Sequence, residues 1–273
     1  MADQTSGGRL GGNTRVAVLG HGSIGAVVAA RLAAGAVDRA TLGAVIGRGP
    51  RDGTPVPCVP LEDALALTEV VVECAGQDAV REHAVAIVEA GCDLVLTSIG
   101  ALADVDLRKR LCDAGPGRVV CTNGAVGGLD MLAAAFASGG LDTVSITSTK
   151  KPASLLRPWM SDAQRTEIAS TTVSLQVFTG SPDEAARLFP ESLNVAVAVD
   201  LAVGGLGTTV VELIADPAAP MTRHAVRADG PIGSYTFVSE NRPGVDNPRS
   251  SAVVPFAVLK TVADLVRQRQ PRR

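Results

Sequence analysis

Arg15-Val16-Ala17-Val18-Leu19 is a short apolar run that meets Gly20-His21-Gly22-Ser23-Ile24-Gly25 and then Ala26-Val27-Val28-Ala29-Ala30-Arg31-Leu32. Strand, glycine turn and helix in that order give a G-x-G-x-x-G motif its physical meaning. Gly20 permits a tight turn, Gly22 lets backbone approach a pyrophosphate, and Gly25 lets the helix lie against the strand. Phosphate then meets unpaired N–H groups at a helix N-terminus, where the dipole favours negative charge. A dinucleotide-binding α/β unit is expected, with cofactor contacts from Gly20, His21, Gly22, Ser23, Ile24 and Gly25. The alternative is a glycine-rich βα turn without a ligand.

A NAD-binding unit usually carries an acid about 20 residues further on, at the end of its second strand, to hold the ribose 2′-hydroxyl. Here the second strand reads Ala40-Thr41-Leu42-Gly43-Ala44-Val45-Ile46 and runs into Gly47-Arg48-Gly49-Pro50-Arg51, while Asp38 lies at its other end. Arg48 and Arg51 suit a 2′-phosphate through forked, charge-assisted hydrogen bonds, and they equally suit solvated loop positions. The expected cofactor is NAD or NADP, with NADP accepted at least as well as NAD.

The chain's 273 residues are 46% apolar, yet no charge-free apolar run has the roughly 18 residues of a membrane span. A formal charge of -3 lacks the basic face of a general nucleic-acid binder. Cys58, Cys74, Cys92, Cys112 and Cys121 are dispersed without a C-x-x-C pair, which argues against a disulfide framework or a zinc site. Cys74, Cys92 and Cys121 fall in or beside apolar strand-like runs and are expected as small core residues. No metal is expected, and the unpaired thiols point to the cytoplasm. Residues 1–13 are polar and Gly-rich without an apolar signal region, and are expected to be a disordered leader.

Strand-like runs alternate with helical patterns after the fingerprint, as a parallel sheet with crossover helices requires. Strands are expected at Glu69 to Glu73, Asp93 to Thr97 and Arg118 to Cys121, and helices at Gln77 to Ala90 and Asp104 to Ala114. The glycine-bearing loops Cys74-Ala75-Gly76, Ser98-Ile99-Gly100-Ala101 and Thr122-Asn123-Gly124-Ala125-Val126-Gly127-Gly128 then fall at three successive strand ends, where such sheets bind ligands.

From Leu129 to about Asn247 the pattern changes. Strands are expected at Thr143 to Thr149, Thr172 to Phe178, Thr208 to Ile214 and Ser234 to Ser239, with two helices, Pro182 to Phe189 and Leu193 to Val203. The resulting fold class is α/β: a Rossmann-like parallel sheet domain over 14–124 plus a second α+β domain with a mixed sheet over 125–249. A final helix over 250–268, with apolar residues near a period of 3.6, is expected to return to the first domain.

Three histidines are available for chemistry. His83 lies inside a helical pattern and reads as structural, and His21 belongs to the fingerprint turn. His224, in Pro220-Met221-Thr222-Arg223-His224-Ala225-Val226, reads from its surroundings as a partly buried structural histidine.

Six segments in chain order are similar to the L-aspartate dehydrogenase family of nicotinamide-dependent amino-acid dehydrogenases. They are Val16 to Gly25, Thr97 to Asp104, Asn123 to Asp130, Leu188 to Ala196, Ala215-Asp216-Pro217, and Glu240-Asn241-Arg242-Pro243 with Asp246-Asn247-Pro248. The resemblance implies a catalytic acid/base at His224, shortly after the A-D-P turn, and cofactor contacts at Ala125 and Asn194. For Asn194 a helix N-cap is the alternative role. The implied reaction is oxidation of L-aspartate to iminoaspartate, or in reverse reductive amination of oxaloacetate, feeding pyridine nucleotide biosynthesis. A histidine titrating near neutrality suits the proton transfer. Family members are typically dimers, so a homodimer is implied.

A dicarboxylate needs cations, and the candidates are Lys150, Lys151, Arg157, Arg223 and Arg242. Ala153 to Trp159 departs from the family pattern where a pocket wall is expected, which leaves two alternatives. One is a reductase of another small imine or keto acid, on a plan like that of dihydrodipicolinate reductase. The other is a cofactor-binding sensor without catalysis.

Overall fold

Val16, Ala17 and Val18 of β1 (Thr14–Leu19) are fully buried, as a strand covered on both faces requires. The computed structural model describes residues 13–47, 53–190, 193–205 and 207–269. β1 leads through the glycine turn into α1 (Ser23–Ala33) and then β2 (Ala40–Ile46). β3 (Cys58–Val59), α2 (Leu61–Leu65), β4 (Val70–Glu73), α3 (Gln77–Glu89), β5 (Asp93–Leu96), α4 (Val105–Asp113) and β6 (Val119–Cys121) complete the unit. Every strand pair here is parallel, in the order β3-β2-β1-β4-β5-β6. The order reverses between β1 and β4, and the crevice at such a reversal is where these sheets take ligands.

The second sheet begins after α5 (Leu129–Ala137). Its elements are β7 (Thr143–Lys150), α6 (Asp162–Ser170), β8 (Leu175–Gly180), α7 (Pro182–Leu188), α8 (Asn194–Ala202), β9 (Val210–Ala215), β10 (Thr222–Gly230) and β11 (Gly233–Asn241). The order is β11-β10-β7-β9-β8, with β7 and β9 parallel and the other pairs antiparallel, so the sheet is mixed as expected. Successive side chains on a strand point to opposite faces. On β7 this buries Val144, Ile146, Ser148 and Lys150.

The segment 129–247 holds four α-helices and a short 3-10 turn (Pro152–Ser154) among its described residues, where two helices were expected. α5 reads LDMLAAAFA, too uniformly apolar to show a helical period. α6 is started by a capping box, with Gln164 N–H on Ser161 Oγ and Ser161 N–H on Gln164 Oε1. Cys121 is exposed, contrary to expectation, because β6 is the edge strand of its sheet.

The last helix, α9 (Val254–Gln268), starts later than expected. Its preceding residues are committed elsewhere: Gly244 N–H bonds Ser250 O, Ala252 N–H bonds Arg242 O, and Pro243 bridges Ser251. Residues 242–252 thus form a closed strap between β11 and α9. α9 itself packs on α1, with Val258, Val262 and Leu265 buried in one apolar cluster with Val16, Val28 and Leu213. Near its end Arg269 joins Arg118 on the buried carboxylate of Asp93.

Candidate active site

The fingerprint turn has the shape that its glycines predict. Gly20 has φ +89°, and a Cβ there would lie 2.7 Å from Ala75 Cα. At Gly25 a Cβ would lie 2.1 Å from the Gly20 carbonyl oxygen. Gly22, the residue preceding α1, has nothing within 4 Å of its hypothetical Cβ. Two glycines therefore close the turn, and the third keeps a space open at a helix N-terminus, a cradle that fits a dinucleotide phosphate.

That space belongs to a cleft of about 400 Å³ between the two sheets. The strand-end loops of β4 and β5 line one side through Ala75, Gly76, Thr97 and Ser98. Ala125 follows β6, and its carbonyl accepts hydrogen bonds from Ser239 Oγ (2.8 Å) and Asn241 Nδ2 (3.1 Å) of β11. Asn194 opens α8 one residue after the N-cap position, and its Oδ1 accepts the Gly100 N–H at 2.9 Å. It therefore clamps the second domain to the loop after β5 rather than capping its own helix.

The second sheet contributes the titratable groups. His224 on β10 lies opposite Ser148 on β7 in the antiparallel register, with Nδ1 2.8 Å from Ser148 Oγ. Both residues are buried, yet His224 lines the cleft. Burial, and secondarily the Lys150 charge, push the His224 pKa down to about 3, so the ring is neutral at pH 7 and does not titrate near neutrality as expected. Lys150 is two residues beyond Ser148 on the same face of β7. Its ammonium donates to Arg249 O at 3.0 Å, and burial, helped by the Arg157 charge, lowers its pKa to about 8.

Comparison with known proteins adds the family. Residues 130–265 match the model described as aspartate dehydrogenase, C-terminal, and residues 20–117 match the NAD-binding domain of homoserine dehydrogenase. L-aspartate dehydrogenase of Ruegeria pomeroyi is 36% identical over 260 residues, 91% of each chain. The chain belongs to the L-aspartate dehydrogenase family. L-aspartate dehydrogenase 2 of Bordetella pertussis is likewise 36% identical, over 91% of this chain and 95% of that relative. The crystal structure of aspartate dehydrogenase from Thermotoga maritima superposes with a TM-score of 0.71 at 26% identity, covering 96% of this chain and 98% of that one. A putative myo-inositol dehydrogenase from Sinorhizobium meliloti shares the fold alone, with a TM-score of 0.52 at 14% identity.

Within this L-aspartate dehydrogenase fold the expected site residues separate into two groups. Gly22, Ser23, Ile24, Ala125, Asn194, Lys150 and His224 all line the cleft. Gly20 and Gly25 shape its rim from behind, while His21 is half-buried in the same turn and does not line the cleft. Arg48 and Arg51 lie outside the described residues.

The other cations are elsewhere. Lys151 is exposed, one residue past the end of β7 at the turn that begins with Pro152. Arg223 alternates with His224 and instead faces Glu240 across the strand pair, 3.7 Å away. Arg242 is exposed at the start of the strap. Arg157 is buried, with its guanidinium 5.4 Å from the centroid of the Phe189 ring and Nη1 donating to Ser154 O and Leu156 O.

The atypical 153–160 stretch does not form the pocket wall that was expected. Trp159 meets Phe189 edge-on at 5.7 Å and donates to Leu188 O, and no residue of the stretch lines the cleft. Conversely, Arg249 of the strap does line it and had not been singled out. Its only signal in the sequence was its place directly after Asn247-Pro248, at the end of a family segment.

Proposed function

We propose that this chain oxidises L-aspartate to iminoaspartate with a nicotinamide cofactor, and in reverse aminates oxaloacetate, a reaction that can feed pyridine nucleotide biosynthesis. One observation carries the reading: Lys150 and His224, the latter held from behind by Ser148, line the same cleft as the phosphate cradle at Gly22. The names of the relatives supply the substrate.

Gly22 and Ser23 are assigned to the pyrophosphate at the N-terminus of α1, and Ala75, Gly76, Thr97, Ser98 and Ala125 to the nicotinamide riboside half. With Oδ1 committed to Gly100, Asn194 offers its Nδ2 amide to that half. The nicotinamide ring, when bound, accepts the hydride that leaves Cα of the substrate.

Among the described residues Lys150 and Arg249 are the lysine and arginine that line the cleft, and we assign them to the two carboxylates. His224 acts as the base. Its Nδ1–H then donates to Ser148 Oγ, leaving Nε2 to accept the proton that the substrate ammonium must lose before Cα can release hydride. The unliganded ring is a weak base because it is buried beside Lys150. A substrate carboxylate seated against Lys150 offsets that charge and raises the basicity of His224 when it is needed.

We read NADP as accepted at least as well as NAD. β2 ends at Ile46 and Gly47 with no acid at the strand end, and Asp38 precedes the strand. Cytoplasmic location is supported by the five free cysteines. A homodimer is supported by the open face of the second sheet, where Val210 and Val238 are each 49% exposed. No helix among the described residues is long and apolar enough to cross a membrane.

The test follows reduced-cofactor absorbance with a panel of amino acids plus NAD or NADP. Turnover with aspartate above all others is expected. Turnover confined to another amino acid, or cofactor binding without turnover, removes the reading.

A further inference from the structure

Glu73 is 1% exposed at the end of β4, and no step above uses it. Its Oε1 accepts hydrogen bonds from Ala75 N–H (2.7 Å), Gly76 N–H (2.8 Å) and Ser98 Oγ (2.9 Å). Its Oε2 accepts from Ser98 N–H (2.8 Å) and Thr97 N–H (3.3 Å). All five donors come from four residues, and each of these lines the cleft. Burial raises the carboxyl pKa, and the Ser98, Gly76 and Ala75 donors work against that rise. An acceptor surrounded only by donors is satisfied in full by the carboxylate, which has no proton of its own to place.

The location adds a second constraint. β4 lies between β1 and β5, beside the point where the strand order reverses. Ala75, held by Glu73, is the residue against which Gly20 makes its close approach. The carboxylate therefore ties the loop after β4 to the loop after β5, and through Ala75 it also sets the seat of the fingerprint turn.

We propose that Glu73 is the positioning residue of the cofactor cleft, holding the loops after β4 and β5 in the one geometry that receives the nicotinamide half of the dinucleotide. It touches neither substrate nor cofactor; it acts through Ala75, Gly76, Thr97 and Ser98. The proposal rests on the assignment of this cleft to a nicotinamide cofactor and is independent of the identity of the amino acid.

Glu73→Gln tests it. The amide must turn its NH₂ toward either the Ala75, Gly76 and Ser98 Oγ donors or the Thr97 and Ser98 N–H groups, and either way donor faces donor. Without cofactor, the amides of these four residues should exchange hydrogen faster by at least tenfold. Reduced cofactor, titrated by its fluorescence with no amino acid present, should bind at least tenfold more weakly, while the KM for aspartate at saturating cofactor stays within twofold. Unchanged amide exchange and cofactor Kd in a folded variant overturn the proposal, as does a rise in aspartate KM alone. If Glu73→Gln does not fold, Ser98→Ala decides, since it deletes one of the five bonds and leaves the backbone donors. It should weaken cofactor binding about threefold, and an unchanged Kd overturns the proposal. The assignment to aspartate fails separately, by absent turnover with normal cofactor binding.

Discussion

Ser148 Oγ lies 2.8 Å from His224 Nδ1, across the β7–β10 pair, with both residues buried and His224 at the wall of the cleft. This contact orients the imidazole, and in the proposed mechanism Nδ1 carries the proton so that Nε2 is left to act as the base. Replacing His224 by Ala should lower kcat about 10² to 10⁴-fold, the usual range for a lost acid–base group. Cofactor Kd should barely change. Ser148→Ala removes only the orienting bond, worth about 1 kcal/mol, and should cost roughly five- to tenfold in kcat. Steady-state rates alongside cofactor titration separate these outcomes; equal turnover in wild type and His224→Ala removes the histidine from the reaction.

Lys150 predicts a pH dependence. Its pKa is lowered to about 8, first by burial and then by the Arg157 charge, so its ammonium is present below that pH and lost above it. Succinate is a dianion above about pH 6.5 and has no amine of its own, so its competitive inhibition reports the protein's titration. Its Ki should be flat from pH 6.5 to 7.5 and rise above about pH 8, with a limiting slope near tenfold per pH unit. A flat Ki up to pH 10 would show that Lys150 is not the anchor.

Arg249 and Lys151 make a paired test of position against composition. Arg249 lines the cleft, and Lys151, one residue past the end of β7, is exposed and does not line it. Arg249→Ala should raise the KM for aspartate about 10 to 100-fold, the worth of a charged hydrogen bond. Lys151→Ala should leave it within twofold. The reverse result would move the carboxylate site away from the strap.

Gly22 and Gly25 make a second pair, in which one chemical change has two consequences. Gly22→Ala places its methyl in open space, so thermal stability should hold while dinucleotide Kd rises about tenfold, because backbone can no longer approach phosphate. Gly25→Ala drives a methyl into the Gly20 carbonyl and should destabilise the fold by about 1–3 kcal/mol. Thermal melts with and without cofactor distinguish the two.

The proposed acceptance of NADP is tested at Arg48, which lies outside the described residues. Arg48→Ala should weaken NADP binding about tenfold and leave NAD unchanged, as expected for loss of a charge-assisted bond to a 2′-phosphate. A large preference of the wild type for NAD would remove the idea at once.

The first domain was legible because its signals are local. An apolar strand, a glycine turn and an apolar helix lie within 20 residues, and β4, β5 and β6 each end in a glycine-bearing loop. α5 and the start of α9 were harder, for opposite reasons. In α5 nearly every residue is apolar, which erases the period. The residues before α9 follow a helical pattern, but the strap claims their backbone groups through Arg242, Gly244 and Ser251.

Within the site, sequence by itself determined the phosphate cradle and, through family resemblance, His224, Ala125 and Asn194. Only tertiary structure decided which cations join them. Lys150 and Lys151 are neighbours of like chemistry, yet Lys150 is the last residue on the buried face of β7 and lines the cleft, while Lys151 starts the next turn and is exposed. His224 meets Ser148 across 76 residues, Asn194 meets Gly100 across 94, and Lys150 meets Arg249 O across 99. Such contacts depend on sheet register and on the path of the strap, which no local pattern encodes. The same holds for Glu73, whose role comes from five donors that gather around it only when two parallel strands end side by side.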